Sequence, residues 1–393
     1  MNPVAPAPPQ LDRLQRQSLV IGVAGLLLCM AGGWPNPEQF FRSYLLAYVF
    51  WVGISLGSFG VVMLHHLTGG GWGFVIRRLL ESGTRTLPLM ALLFVPLLFG
   101  MSDLYVWARP DAVAADEILQ HKSAYLNPSF FMLRTAIYFA AWIGVASLLN
   151  RWSGEQDRTA APGLTRRLQL LSGPGLVLYG LTVTFASVDW VMSLEPHWFS
   201  SIYGILFMVG QGLASLAFAT ALAVALADRP PLSELVSPAR LHDLGNLLLA
   251  FVMLWTYIAF SQFLIIWSGN LPEEIPWYLH RTGGGWQWIG LFLLAFHFAL
   301  PFLLLLSRQI KRDARMLMIV SAAIIAMRLV DLYWLVVPAF HPDGVRLHWM
   351  DLAAPVGIGG LWMAVFAWQL KQRPLVPIHD PRLKELMTHE GGP

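Results

Sequence analysis

The feature that most constrains the fold of this chain is a series of ten apolar runs spread over its 393 residues. A helix needs about 20 apolar residues to cross a bilayer, and most of the runs are about that long. Only 12% of the residues are charged, roughly half the density of a soluble domain. We therefore predict an all-α, polytopic membrane protein with about ten transmembrane helices. The runs lie near Ser18–Gly33, Ser43–Leu64, Leu87–Tyr105, Phe130–Leu149, Leu171–Ser187, Ile202–Ala227, Leu244–Trp267, Trp286–Ser307, Met316–Val337 and Leu352–Leu370.

Lysine and arginine are distributed unequally between the two sides of the membrane. Segments on the side of the N-terminus hold 19 of the 26, the opposite loops hold five, and Arg134 and Arg328 fall within spans. Positively charged loops stay in the cytoplasm. The sequence thus predicts a multi-pass membrane protein with an even number of spans and both termini cytoplasmic. We expect a disordered cytoplasmic head (residues 1–15), a transmembrane domain (residues 16–370) and a polar cytoplasmic tail (residues 371–393).

The first apolar run is the shortest, and it could also be a secretory signal peptide because Arg13 and Arg16 precede it. The stretch Met30-Ala31-Gly32-Gly33 is a poor cleavage site. We therefore interpret the run as a retained span.

The residues available to hold cofactors are few. The single cysteine, Cys29, excludes a disulfide within the chain and a cysteine-ligated iron–sulfur or zinc site, and a haem-attaching C-x-x-C-H motif is missing. A dihaem cytochrome b needs four deep axial histidines, whereas only His297 lies near a span centre and His65 and His66 are marginal. The net charge of +3, without a basic run, does not indicate a nucleic-acid partner. We predict that this chain binds no cofactor, metal or haem and has no catalytic residues of its own.

Ionisable residues within spans are costly and are therefore candidates for function. Arg328 and Asp331 are three residues apart on one helix face, which suits either a structural ion pair or proton transfer. Arg134 and Asp103 share a depth near the outer side, where we expect them to pair across adjacent helices. Asp189 and Glu195 close the fifth span and its outer loop, where a solvated or capping role is expected.

His297 is the histidine nearest to a span centre, and Pro301 removes the helical donor from its carbonyl group. Its imidazole is either a buried group satisfied by a neighbouring helix or a station in a proton relay. Tyr257 and Gln262 on the seventh span, with Gln211 on the sixth, could extend a polar path outward. His65 and His66, with His242 and Asp243, mark the inner ends of spans and could line access from the cytoplasm.

One motif, H-x-T-G-G-G-W, occurs twice, at His66–Trp72 and at His280–Trp286. A Gly-Lys-Ser/Thr sequence does not follow either copy, so neither is a phosphate-binding loop. The motif suits a glycine turn followed by an interfacial tryptophan. Alternatively, it is a trace of internal repetition of the kind found in transporters.

Several longer motifs follow one another from the second span to the ninth. They are His65–Glu81 (HHLTGGGWGFVIRRLLE), Thr86–Gly100 (TLPLMALLFVPLLFG), Lys122–Trp142 (KSAYLNPSFFMLRTAIYFAAW), Asp189–Gly204 (DWVMSLEPHWFSSIYG), the ends of Leu241–Trp286 (LHDLGNLLLAF and TGGGW) and Phe296–Arg308 (FHFALPFLLLLSR). In this order they resemble the F subunit of alternative complex III, a respiratory quinol:cytochrome c oxidoreductase, and the wider NrfD/PsrC-like family.

The resemblance implies two four-helix bundles, about residues 43–187 and 202–337, flanked by the first and last spans. It also implies partners: a sister NrfD-like subunit, a periplasmic iron–sulfur subunit, multihaem c-type cytochromes, small membrane subunits, lipids and a terminal oxidase. Haem c, iron–sulfur clusters and quinone or menaquinone would then belong to the complex, which the resemblance places in the bacterial inner membrane. Such a subunit supports assembly and proton movement, whereas quinol oxidation is assigned to the sister subunit.

The resemblance transfers no quinol-site residue to this chain, so the proton-path candidates come from membrane physics alone. They are Asp103, Arg134, Asp189, His297, Arg328, Asp331, His65, His66, Gln262 and Tyr257. Three alternatives remain open: a purely structural anchor, an independent secondary transporter, and a chain that itself binds quinone in an apolar cleft.

Overall fold

The computed structural model describes residues 9–161 and 163–383, and within them it contains helices and no β-strand. Residues 9–15, which were expected in a disordered head, are helical, and the head's first eight residues lie outside the described ranges. Ten helices in these ranges are long and apolar enough to cross a membrane. They are α1 Pro9–Gly33, α2 Pro37–Thr68, α3 Gly71–Phe99, α4 Pro128–Thr159, α5 Gly163–Trp190, α6 Tyr203–Ala225, α7 Pro238–Gly269, α8 Trp286–Leu306, α9 Ala314–Val336 and α10 Met350–Leu370.

Short helical segments occupy the connections. They are Met101–Leu104, Val106–Ala108, Pro110–Ala115, Glu117–Lys122, Met192–Leu194, Leu232–Glu234, Pro276–Thr282, Arg308–Arg312 and Val337–Ala339. Helices α2, α4 and α7 each have 32 residues, more than the about 20 needed to span hydrocarbon. Their ends therefore extend into the interfacial layers.

The same local signal starts these three long helices. Asn36, Asn127 and Ser237 each precede a proline, and their side chains accept a hydrogen bond from the backbone N–H three residues later. Such a cap satisfies a donor that the first helical turn leaves free, and proline at the next position loses nothing because its N–H would be unpaired. The sequence thus fixes the starts of α2, α4 and α7 locally.

The ten helices form two four-helix bundles, α2–α5 and α6–α9, flanked by α1 and α10. Helices α2 and α6 join the bundles and are the most enclosed of the ten spans. Helix α1 packs along α10, where glycines at Gly22, Gly25, Gly357 and Gly360 bring the two backbones together. Lys371, after α10, bonds to Asp12 of α1, so both helices meet at one end of the molecule. We call this the arginine-rich end and the other the opposite end.

Gly57 sets the distance between α2 and α6. A Cβ atom there would overlap the backbone carbonyl of Gln211, and the hydroxyl group of Ser215 donates to the carbonyl of Ile54 at 2.8 Å in the same contact.

We expect Gly57→Ala to lower the stability by about 2 kcal/mol, because overpacking forces the helices apart. Thermal unfolding in detergent measures this. Gly53→Ala is the matched control, since its Cβ would meet only the flexible side chain of Gln211 at 3.4 Å; equal loss in both variants would contradict the prediction.

The two H-x-T-G-G-G-W motifs both form a glycine turn before a helix, but the positive φ angles fall on the first and second glycines of one copy and on the second and third of the other. Gly69 and Gly70 before α3, and Gly284 and Gly285 before α8, have positive φ angles, a backbone region that glycine enters without strain. The turns precede the second helix of one bundle and the third helix of the other, so they are not equivalent positions. This placement favours the glycine turn over internal repetition.

Candidate functional site

The second bundle encloses a pair of opposite charges on α9. Arg328 and Asp331 form an ion pair, and the side chain of each is only 3% exposed. The predicted proximity of these residues on one helix face is confirmed. Because burying an unpaired charge is very costly, the pair explains how both residues are accommodated among apolar helices.

Neighbouring helices shape the space around this pair. Gly210 of α6 allows the guanidinium group of Arg328 to lie against the α6 backbone, since a Cβ atom there would overlap it. The ring of Phe207 lies 5.8 Å from the same group. The indole N–H of Trp255 on α7 interacts with Asp331 without reaching normal hydrogen-bond geometry. Neither Gly210 nor Trp255 could be predicted from the sequence, because neither carries a charge.

His297 completes the cluster from α8. It is fully buried, its ring centre lies 4.3 Å from that of Trp255, and it interacts electrostatically with Arg328. Neither of its ring nitrogens has a hydrogen-bond partner among the described residues. It lies in a π-helical segment, Leu294–Ala299, just before Pro301. Such widened turns are frequent at functional sites, and here the segment accompanies an imidazole that faces the bundle interior.

A second charged group lies beyond the cluster, at the opposite end. Arg281 donates to Glu195 at 2.7 Å and to the carbonyl group of Leu335, at the end of α9, at 2.9 Å. His280 contacts the other oxygen of Glu195 at 3.0 Å. Burial raises the pKa of Glu195, but the hydrogen bond with His280 and the charge of Arg281 outweigh it and lower the pKa below its usual value. Glu195 is thus mostly buried in an ion pair, not solvated as expected.

Tyr203 lies near both charged groups. It is buried at the start of α6 and interacts electrostatically with Arg281, Glu195, Asp331 and Arg328. Ionisable side chains therefore follow one another from the opposite end to the middle of the second bundle.

Few polar side chains lie between the Arg328–Asp331 pair and the arginine-rich end. Ser321 of α9 and Thr220 of α6 are buried, and their hydroxyl groups have no hydrogen-bond partner in the described part of the chain. At the end itself, Lys311 donates to Asn246 at 2.7 Å, and Asn246 contacts His242 at 3.3 Å. His242 therefore lies where access from this end was predicted.

Arg134 and Asp189 form a closed pair in the first bundle. Two guanidinium nitrogens of Arg134 donate to the carboxylate of Asp189 at 2.8 and 2.9 Å, and Tyr138 donates to it at 2.8 Å. The expected pairing of Arg134 with Asp103 is therefore wrong, because Asp103 is half-buried and Asp189 is the acid that faces Arg134. Asp189 is fully buried, so its expected solvated role is also wrong.

The remaining candidates separate into buried and exposed residues. Gln262 is buried and accepts from Ser200 at 3.4 Å, whereas Tyr257 is 65% exposed on the outer face of α7 and cannot continue an internal path. His65 and His66 are fully buried in the first bundle, where His66 contacts Ser172 at 3.0 Å. They do not share an access route with His242, which belongs to the second bundle.

The arginine-rich end holds a network that the apolar pattern concealed. Arg77 and Arg78, which fall between the second and third apolar runs of the sequence, lie in the buried first half of α3 and share Glu81. Arg77 also donates to Asp380 of the C-terminal segment at 2.7 Å. The part of the predicted polar tail that the structure describes, residues 371–383, therefore packs against the bundle.

Neither a scan of protein-family models nor a search of curated proteins finds a match to this chain. Residues 9–161 and 163–383 contain no group of three or more His, Cys, Asp or Glu side chains that could hold a metal ion.

Proposed function

We propose that this integral membrane protein is a non-haem subunit of a respiratory quinol-oxidising complex of the alternative complex III type, and that its second bundle carries part of a proton path. The observation that carries the proposal is the enclosed cluster of His297, Arg328 and Asp331. The choice of this complex rests on the resemblance of the sequence motifs to the F subunit.

The chemistry of the cluster suits proton transfer. A neutral imidazole accepts a proton on one ring nitrogen and releases one from the other, and both nitrogens of His297 are free of hydrogen bonds to described residues. The Asp331 carboxylate pairs with the positive charge of Arg328. It can take up a proton while Arg328 stays charged. Tyr203 and Glu195 extend the line toward the opposite end, where quinol oxidation in the sister subunit would release protons.

The arginine-rich end would face the cytoplasm of a bacterial inner membrane, because positively charged segments stay on that side. Haem c and iron–sulfur clusters would belong to partner subunits, and quinone would bind next to the sister subunit.

Purification of the full chain with an affinity tag, in mild detergent from its native membrane, tests this proposal. We expect multihaem c-type cytochromes, an iron–sulfur protein and a second polytopic subunit to co-purify, and the preparation to oxidise quinol. Isolation of the chain alone, together with solute transport by the isolated chain in liposomes, would instead establish a secondary transporter.

A second candidate function is quinone binding by this chain. A mainly apolar cavity of about 350 Å³ lies at the opposite end, beside Tyr125, Met192 and Trp198. Quinone sites are apolar clefts with few polar contacts, and Lys122 supplies one here. Photo-crosslinking with an azido-quinone in the purified complex distinguishes quinone binding by this chain from quinone binding by the sister subunit alone. Labelling of Met192 or its neighbours supports this candidate, and labelling confined to the sister subunit contradicts it.

A further inference from the structure

A cavity of about 310 Å³ lies between α3, α4 and α10 at the arginine-rich end. Its polar lining includes three cations and two amides: Arg85, Arg151, Arg373, Asn150 and Gln369. Pro88 and Ile143 continue it toward the middle of the membrane. The cavity is therefore cationic at the membrane interface and apolar where it extends toward the hydrocarbon.

Several polar atoms in the lining have no hydrogen-bond partner among the described residues: Arg85 Nη1, Asn150 Oδ1 and Gln369 Oε1. The amide nitrogen of Asn150 donates to Thr84 Oγ1 at 2.8 Å and to the carbonyl of Ala146 at 2.9 Å. These bonds fix the orientation of the amide. The oxygen of Asn150, a residue only 6% exposed, is thus the atom left to accept from a ligand.

The positive charge of the cavity is not balanced by its own lining, in which the described residues include no carboxylate. The nearest acid is Glu81, whose oxygen lies 3.7 Å from Arg373, and it is already bonded to Arg77 and Arg78. Burial lowers the pKa of Arg373, and repulsion from Arg78 adds to this effect despite the charge of Glu81. The site therefore favours an anion.

We propose that this cavity binds the headgroup of an anionic phospholipid of the phosphatidylglycerol class. The phosphodiester suits the arginines, whose guanidinium groups bind phosphate oxygens bidentately. The glycerol hydroxyl groups are donors and match the free oxygens of Asn150 and Gln369. The acyl chains leave past Pro88 and Ile143 into the bilayer. Basic pockets between spans on the cytoplasmic side are suited to such lipids.

The test measures lipid binding to the full chain, or to its complex, after detergent washing. We expect phosphatidylglycerol to raise the thermal unfolding temperature and to remain bound in native mass spectrometry. Phosphatidylcholine with the same acyl chains, and inorganic phosphate at the same concentration, should do neither. Arg85→Gln and Arg151→Gln should each weaken phosphatidylglycerol binding about tenfold, because each removes a charge-assisted contact.

Arg167→Gln is the matched control, since it removes one exposed arginine at the same end but outside the cavity. Retained lipid binding in this variant supports the site. Equal weakening in Arg167→Gln would indicate a general surface-charge effect and overturn the proposal. An equal response to phosphatidylcholine, or to inorganic phosphate alone, would overturn it as well. Arg151 is exposed and makes no ion pair with described residues, so its variant is expected to fold.

Discussion

In the proposed complex, His297→Gln is expected to slow the proposed proton transfer through the second bundle about 100-fold, the usual contribution of a positioned acid–base group. The number of protons translocated per electron should fall accordingly. The variant should still assemble, because His297 makes no hydrogen bond to described residues and its replacement leaves no buried charge unpaired. Proteoliposomes with a pH-sensitive dye measure the proton stoichiometry, and quinol oxidation with an uncoupler measures the redox reaction separately.

The control is His197→Gln, which makes the same change at an exposed position outside both this cluster and the apolar cavity beside Met192. Asp331→Glu provides a second comparison, because it keeps an acid beside Arg328. Asp331→Asn is less informative, since an unpaired Arg328 would harm folding as well as proton transfer. If His297→Gln assembles, oxidises quinol and pumps with unchanged stoichiometry, the proton path does not pass through this cluster, and a structural anchor becomes the better explanation.

The sequence predicted the fold well because the relevant signals are local. Each apolar run reports its own span. The Asn-Pro and Ser-Pro pairs that start α2, α4 and α7 are also local signals, and they lie outside the predicted bounds of the runs. The Arg328–Asp331 pair was predictable for the same reason, since three residues along one helix fix a shared face. The start of α3 was missed because Arg77, Arg78 and Glu81 interrupt the apolar pattern, although the helix continues through them from Gly71.

Contacts between helices could not be predicted in the same way. Asp103 and Asp189 both lie near the depth of Arg134, and only the rotation of α5 about its axis decides that Asp189 faces it. Tyr257 was misplaced because α7 is apolar on all sides, so its sequence does not distinguish the inner face from the outer one. Gly210 makes room for the guanidinium group of Arg328 because it has no side chain. That role can be recognised only once the structure shows Arg328 packed on Gly210.

The C-terminal segment shows the largest difference between sequence and structure. Asp380 follows ten spans in a polar stretch, yet it is fully buried and accepts from Arg77 and Arg382. Burial raises its pKa, but the charges of Arg77 and Arg382 outweigh this and lower the pKa below the usual 3.8. Nearby, Leu375, Val376 and Leu383 are also buried. The segment therefore closes the arginine-rich end of the first bundle.

Asp380→Asn is expected to destabilise the protein by about 3–5 kcal/mol, the cost of removing one partner from a buried ion pair. Among the described residues, Arg77 would keep one carboxylate partner, Glu81, which it shares with Arg78. Thermal unfolding and yield in detergent measure the loss, with Asp343→Asn, an exposed carboxylate at the opposite end, as the control. A carboxylate with a lowered pKa stabilises the fold above its usual pKa, and this contribution disappears as the pH falls through the folded value. The difference between wild type and Asp380→Asn should therefore be full at pH 7 and shrink below pH 3.8. A difference that does not change with pH would show that Asp380 acts through packing and not through its charge.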